Sequence, residues 1–124
     1  MEAAAGLLKL KPGTEATIEH WKATLQARSD EVVSTLRNEG VHIESWFQIE
    51  INGEKYLLWY MKAESISKAI EVAVSSDHDI DQFHFTMMNE VVTPDGNIQA
   101  KPALDFAVEE NGAKSEVETP RDPS

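Results

Sequence analysis

The stretch Val41–Lys62, VHIESWFQIEINGEKYLLWYMK, reads as two strands joined by a tight turn at Asn52-Gly53. Both positions of such a turn demand positive φ, which Asn and Gly tolerate, and the flanking runs are rich in Ile, Phe, Tyr and Trp. A two-residue turn sets the register. Ile51 opposes Glu54, and counting outward pairs Glu50 with Lys55, Phe47 with Leu58 and Trp46 with Trp59. One face of the ribbon then holds Ile43, Ser45, Phe47, Ile49 and Ile51 with Tyr56, Leu58 and Tyr60, apolar enough to pack under helices. The other holds His42, Glu44, Trp46, Gln48 and Glu50 with Lys55, Leu57, Trp59 and Met61, too apolar for bulk water and too polar for an ordinary core.

Upstream, Leu8 and Leu10 alternate with Lys9 and Lys11 in a short strand that stops at Pro12-Gly13. A long helix is predicted from Thr14. Its stripe runs through Ile18, Trp21, Leu25, Val32 and Leu36, and Gly40 stands where a left-handed C-terminal cap belongs. Ser29-Asp30-Glu31 reads as a second N-cap, so the helix is expected to break near Arg28. Trp21 is expected in the core and His20, off the stripe, in solvent. Downstream, Ser65 caps a helix with the stripe Ile66, Ala69, Ile70, Ala73 and Val74. Asp77 or Asp79 caps another, striped by Ile80, Phe83, His84, Met87, Met88 and Val91. After the turn residues Thr93–Asn97, the alternation Leu104, Phe106, Val108 predicts a final strand.

At 124 residues the chain suits one domain, expected over 1–109. It carries no cysteine, which removes disulfides, thiolate metal sites and cysteine nucleophiles and fits a reducing cytoplasm. Glu2 stands where a secretory signal would be basic, and no apolar run approaches bilayer-spanning length, so no membrane partner is expected. With 11 basic residues against 22 acidic ones, the formal charge of −11 argues against nucleic acid as a partner. Residues 110–124, polar and acidic, read as a disordered tail.

Strand, helix, hairpin, helix, helix, strand is the order of a ferredoxin-like α+β sandwich, a four-stranded antiparallel sheet with helices on one face. That order leaves the mixed face uncovered. Trp46, Leu57, Trp59 and Met61 form too large an apolar patch for a monomer, so a homodimer sealing this face is expected.

Several segments resemble a small, uncharacterised bacterial family of dimeric α/β-barrel proteins. They are Leu10-Lys11-Pro12-Gly13, Glu39-Gly40-Val41, Glu44-Ser45, Tyr56-Leu57-Leu58, Tyr60-Met61-Lys62-Ala63, and Ser76-Asp77-His78 through Ile80-Asp81 and His84. The resemblance implies two sheets packed face to face across a dimer. More distantly the layout is similar to cofactor-free antibiotic-biosynthesis monooxygenases and to haem-degrading monooxygenases. The haem degraders imply an Asn on the first strand, a Trp ending the third and a His on the following helical segment. Trp59 and His84 stand near the latter two places, whereas Lys9 occupies the first.

Three functional readings follow. The first is a homodimeric protein that binds a small apolar or aromatic ligand or serves structurally, with no cofactor expected. The second is a small monooxygenase or isomerase acting on an aromatic or acyl substrate, with Glu44, His42 or His84 as acid or base and Lys9, Trp46, Trp59 and Met61 lining the pocket. Buried there, Glu44 would have its pKa raised by desolvation. The third is a divalent metal held by His78, Asp81 and His84. Asp81 and His84 share a helix face, while His78 joins them only if it precedes the helix.

Overall fold

A computed structural model describes residues 1–108. Its elements run β1 (Glu2–Leu10), α1 (Glu15–Ala27), α2 (Ser29–Glu39), β2 (Val41–Ile51), β3 (Glu54–Ala63), α3 (Ile66–Val74), α4 (Asp79–Val91) and β4 (Val92–Gln99). The strands form one antiparallel sheet in the order β2-β3-β1-β4, the ferredoxin-like arrangement, with the helices on one face.

Local chemistry accounts for the boundaries. The hairpin register is the one the turn dictates, Trp46 opposite Trp59 and Ile51 opposite Glu54, with Asn52 and Gly53 both at positive φ. The long helix breaks at Arg28, which ends α1 and begins α2, and Gly40 closes α2 in the left-handed conformation. Ser65 caps α3 by accepting from the Lys68 amide, and the Glu2 carboxylate accepts from the Ile66 amide at 2.8 Å, where the helix dipole favours negative charge. The α4 cap differs from expectation: it is His78, with no side-chain capping bond, rather than Asp77 or Asp79.

The expected final strand lies elsewhere. β4 occupies Val92–Gln99, the segment read as turn residues, and it pairs with β1 through a register shift between Leu8 and Leu10. Leu104, Phe106 and Val108 follow without regular structure, their side chains in solvent. Pro94 and Gly96 mark β4 as an edge strand, the setting in which a sheet tolerates them. The expected acidic tail, 110–124, lies outside the described residues.

The larger correction concerns which side of the ribbon faces the helices. The mixed face, not the apolar one, is covered, and by this chain's own helices rather than by a second copy. Leu57 is 0% exposed in a core with Ile18, Trp21, Met88 and Val91, against which Leu8, Leu10 and Trp46 pack. Trp21 meets Trp46 edge-to-face at 5.4 Å. Several polar members of this face find partners. Trp46 Nε1 donates to Glu44 at 2.8 Å, and Lys22 Nζ donates to Gln48 at 3.0 Å. The opposite face is left to solvent, with Phe47 53% and Ile98 54% exposed beside Ile43, Ile49 and Ile51.

Candidate functional site

Inverting the ribbon moves the predicted pocket from a subunit interface into the fold itself. A cavity of about 220 Å³ lies between the sheet and helices α2, α3 and α4. Glu44, Trp46, Trp59 and Met61 form its floor from β2 and β3. Val32, Thr35, Leu36 and Glu39 descend from one stripe of α2, Ala69, Ile70, Ala73 and Val74 from α3, and Ile80, Asp81, His84 and Phe85 from α4. Small side chains at Ala69 and Ala73 leave the room that larger residues would fill. Gly6 makes space beneath, since a Cβ there would lie 2.9 Å from Trp59 Nε1 and from the Ile98 carbonyl.

The polar groups on this apolar wall are carboxyls and one imidazole. Glu39 is pushed up to about 7, chiefly by burial, with Asp81 and Glu44 adding repulsion. Glu44 is also raised, by burial first and then by Asp81, while the indole N–H of Trp46 opposes the shift. One carboxylate oxygen of Asp81, Oδ2, is buried without a hydrogen-bond partner. His84 accepts from Trp21 Nε1 at 3.0 Å through Nδ1, and burial lowers it to about 4. A neutral imidazole whose Nδ1 accepts must carry its proton on Nε2. His84 is therefore a hydrogen-bond donor at neutral pH, and its candidacy as a general base does not fit this geometry.

The remaining candidates lie elsewhere. His42 sits at the β2 irregularity and pairs with Glu64 at 3.1 Å in solvent, outside the cavity. Lys9 stands between inward-facing Leu8 and Leu10, so it points to the outer face, where it meets Glu54 at 3.1 Å. His78, at the head of α4, is exposed and lies outside the cavity lined by Asp81 and His84. Among the described residues no group of three or more His, Cys, Asp or Glu is arranged to hold a metal, so the set His78, Asp81 and His84 does not form. Glu39 went unrecognised as a site residue. The signal was available, because Val32, Thr35, Leu36 and Glu39 follow the spacing of a single helix face.

A second hollow of about 500 Å³ opens at the hairpin end, along Leu10–Glu15 and Glu50–Tyr56. Several charged groups there are paired, Lys55 with Glu15 at 3.1 Å and Glu54 with Lys9 at 3.1 Å. The more apolar cavity beneath α2, α3 and α4 is the better candidate.

Fold and cavity together define a ferredoxin-like α+β protein with a hollow between sheet and helices. Residues 1–111 match the model of a family of unknown function, DUF6176, and the chain belongs to that family. No curated protein matches it. Among solved structures it is similar to the crystal structure of an L-rhamnose mutarotase from Formosa agariphila. The identity is 17% and the TM-score 0.55, over 86% of this chain and 100% of the other. That likeness bears on the fold. No described helix is long and apolar enough to cross a membrane.

Proposed function

We propose that this protein binds a small ligand in the cavity between the sheet and α2, α3 and α4, and exchanges protons with it through Glu39 and Glu44. The observation that carries this reading is the convergence of two carboxyls with raised pKa values and one neutral imidazole on a single apolar cavity. A carboxyl held near 7 is close to half-ionised at neutral pH, so it can give or accept a proton at little cost. Its neighbour Glu44, partly fixed by the Trp46 N–H, supplies a second proton site of different environment. His84 Nε2–H offers a donor to a ligand oxygen. Trp46 and Trp59 supply flat apolar walls, and Met61 fills the floor between them and α3. Isomerisation of a small molecule is the reaction class such a constellation serves, and the mutarotase fold relative agrees with it without lending its substrate.

The assembly proposed for the working protein is a homodimer packed through the outer sheet face. Ile43, Phe47, Ile49 and Ile51 expose apolar side chains along β2, and the cross-strand row Phe47, Leu58, Leu7, Ile98 carries the apolar surface across to β4. Asp105 reaches back across that face to the nearly buried Lys62 at 2.8 Å, and Leu104 and Phe106 on either side of it are turned to solvent, as they would be to meet a partner. A cytoplasmic location remains the reading that absence of cysteine supports.

A thermal-shift screen of small organic compounds tests the pocket. Hits are expected to stabilise the native chain, and to lose their effect when Ala73→Phe fills the cavity. Stabilisation that survives Ala73→Phe would overturn the assignment.

A further inference from the structure

Trp21 lies outside the cavity wall but is bonded to it. The residue is 3% exposed, and its N–H donates to His84 Nδ1 at 3.0 Å across 63 positions of sequence. Burial keeps the His84 ring neutral, so with Nδ1 accepting, the ring proton stays on Nε2. Among the described residues, the side-chain atoms sealed off without a partner are Asp81 Oδ2 and Thr93 Oγ1. His84 Nε2 is not one of them and makes no hydrogen bond, so it keeps surface that a ligand in the cavity can touch. The other N–H and O–H groups of the wall are turned elsewhere. Trp46 Nε1 donates to Glu44, Thr35 Oγ1 donates to the Val32 carbonyl, and Trp59 Nε1 lies against the sheet, 2.9 Å from where a Gly6 Cβ would stand.

Resting on the pocket reading above, we propose that the ligand is a compact uncharged molecule with an oxygen that accepts from His84 Nε2–H, and that Trp21 is the positioning residue that sets this preference. A hydrocarbon would desolvate the imidazole N–H without pairing it. A carboxylate or phosphate would meet carboxyls and no Lys or Arg among the described lining residues. A ligand N–H in the same place would face a donor. At about 220 Å³ the cavity is smaller than the roughly 300–1,000 Å³ typical of drug-sized sites, which selects a single ring or a short chain. Without the Trp21 N–H the ring proton can move to Nδ1, and Nε2 turns from donor to acceptor. A residue behind the wall thus chooses the direction of the hydrogen bond in front of it.

Titration with acetophenone and with α-methylstyrene, in which a CH2 group replaces the carbonyl oxygen, tests this by nuclear magnetic resonance at pH 8. There Glu39, held near 7, is mostly ionised and offers no competing O–H. The His84 Nε2–H signal is expected to move further downfield with the ketone than with the alkene. The affinity ratio of ketone to alkene is expected to fall at least fivefold in His84→Phe and in Trp21→Phe, whereas mere structural damage weakens both probes alike and leaves the ratio unchanged. A ratio unchanged in His84→Phe, with binding still abolished by Ala73→Phe, would overturn the acceptor assignment and leave the pocket standing. A ratio unchanged in Trp21→Phe would overturn the positioning role. In the native chain a nitrogen–nitrogen coupling across the Trp21–His84 bond is expected, and its absence would overturn that role even if Trp21→Phe fails to fold. No acetophenone binding at millimolar concentration would overturn the ligand class whatever the screen finds.

Discussion

Trp21 Nε1 donates to His84 Nδ1 at 3.0 Å, joining the middle of α1 to the middle of α4 above the sheet. The bond fixes the imidazole tautomer and turns the opposite nitrogen's proton away from the core. Trp21→Phe keeps a ring in place but strands a buried acceptor, which costs about 1–3 kcal/mol. Urea denaturation is expected to show that loss, and nitrogen NMR a changed environment at His84 Nδ1. An unchanged imidazole spectrum would contradict the assigned tautomer.

Stability should depend on pH through two opposed groups. Burial raises Glu39 from 4.5 to about 7, so between those values the folded chain holds more protons than the unfolded one, and stability falls as pH rises. His84 is lowered from 6.5 to about 4, so there the unfolded chain holds more protons, and stability rises with pH. The two partly cancel between about 4.5 and 6.5. Just above, Glu39 acts unopposed by His84, with the raised Glu44 pulling in the same direction, and stability should decline through pH 7. Glu39 is partly open to solvent, so the decline is on the order of 1 kcal/mol. Denaturation midpoints across pH 6–8 should show it in the native chain and show it diminished in Glu39→Gln.

The two faces of the hairpin predict opposite responses to substitution. Leu57→Ala removes a side chain sealed between sheet and helices and should cost about 2–5 kcal/mol. Phe47→Lys, on the outer face, should leave monomer stability within about 0.5 kcal/mol while abolishing self-association. Sedimentation of both variants beside the native chain separates the effects. A Phe47→Lys protein that remains dimeric would disprove the proposed interface.

Gly6 is required by what lies over it. A methyl group at this position meets both a backbone carbonyl and the Trp59 indole, so Gly6→Ala should displace Trp59 into the cavity at a cost of about 1–3 kcal/mol. A shifted tryptophan emission maximum and weaker ligand-induced stabilisation are the expected readouts.

The contrast between Trp46 and Phe47 shows what was legible in the sequence. Register, turn, helix break and caps at Ser65 and Gly40 follow from local chemistry, because each depends on residues within a few positions of one another. Which of two adjacent side chains turns inward depends on the helices that arrive from elsewhere, and residue counting on the ribbon cannot decide it. Glu44, Trp46, Trp59 and Met61 share one side of the sheet whichever way it points, so they stay together, whereas His84 joins them only because α4 covers that side. His42 and Lys9 were lost for the same kind of reason: an irregularity at the start of β2 and strict alternation in β1 set them apart from the others. The last strand was misplaced because Pro94 and Gly96, ordinary turn residues, are admissible at a sheet's margin.

The interruption at Arg28 divides labour between two helical rods. α1 supplies Ile18 and Trp21 to the hydrophobic centre, whereas α2 lends the cavity its ceiling through Val32, Thr35, Leu36 and Glu39. Arg28 sits at the joint, bonded to Glu31 and, at 3.5 Å, to Asp79 at the start of α4. Chain continuity across this elbow is not helical continuity, so the ceiling's pitch is set independently of the rod that anchors the centre. Substitutions along α2 can thus retune what the chamber admits while the foundation beneath α1 stays as it is.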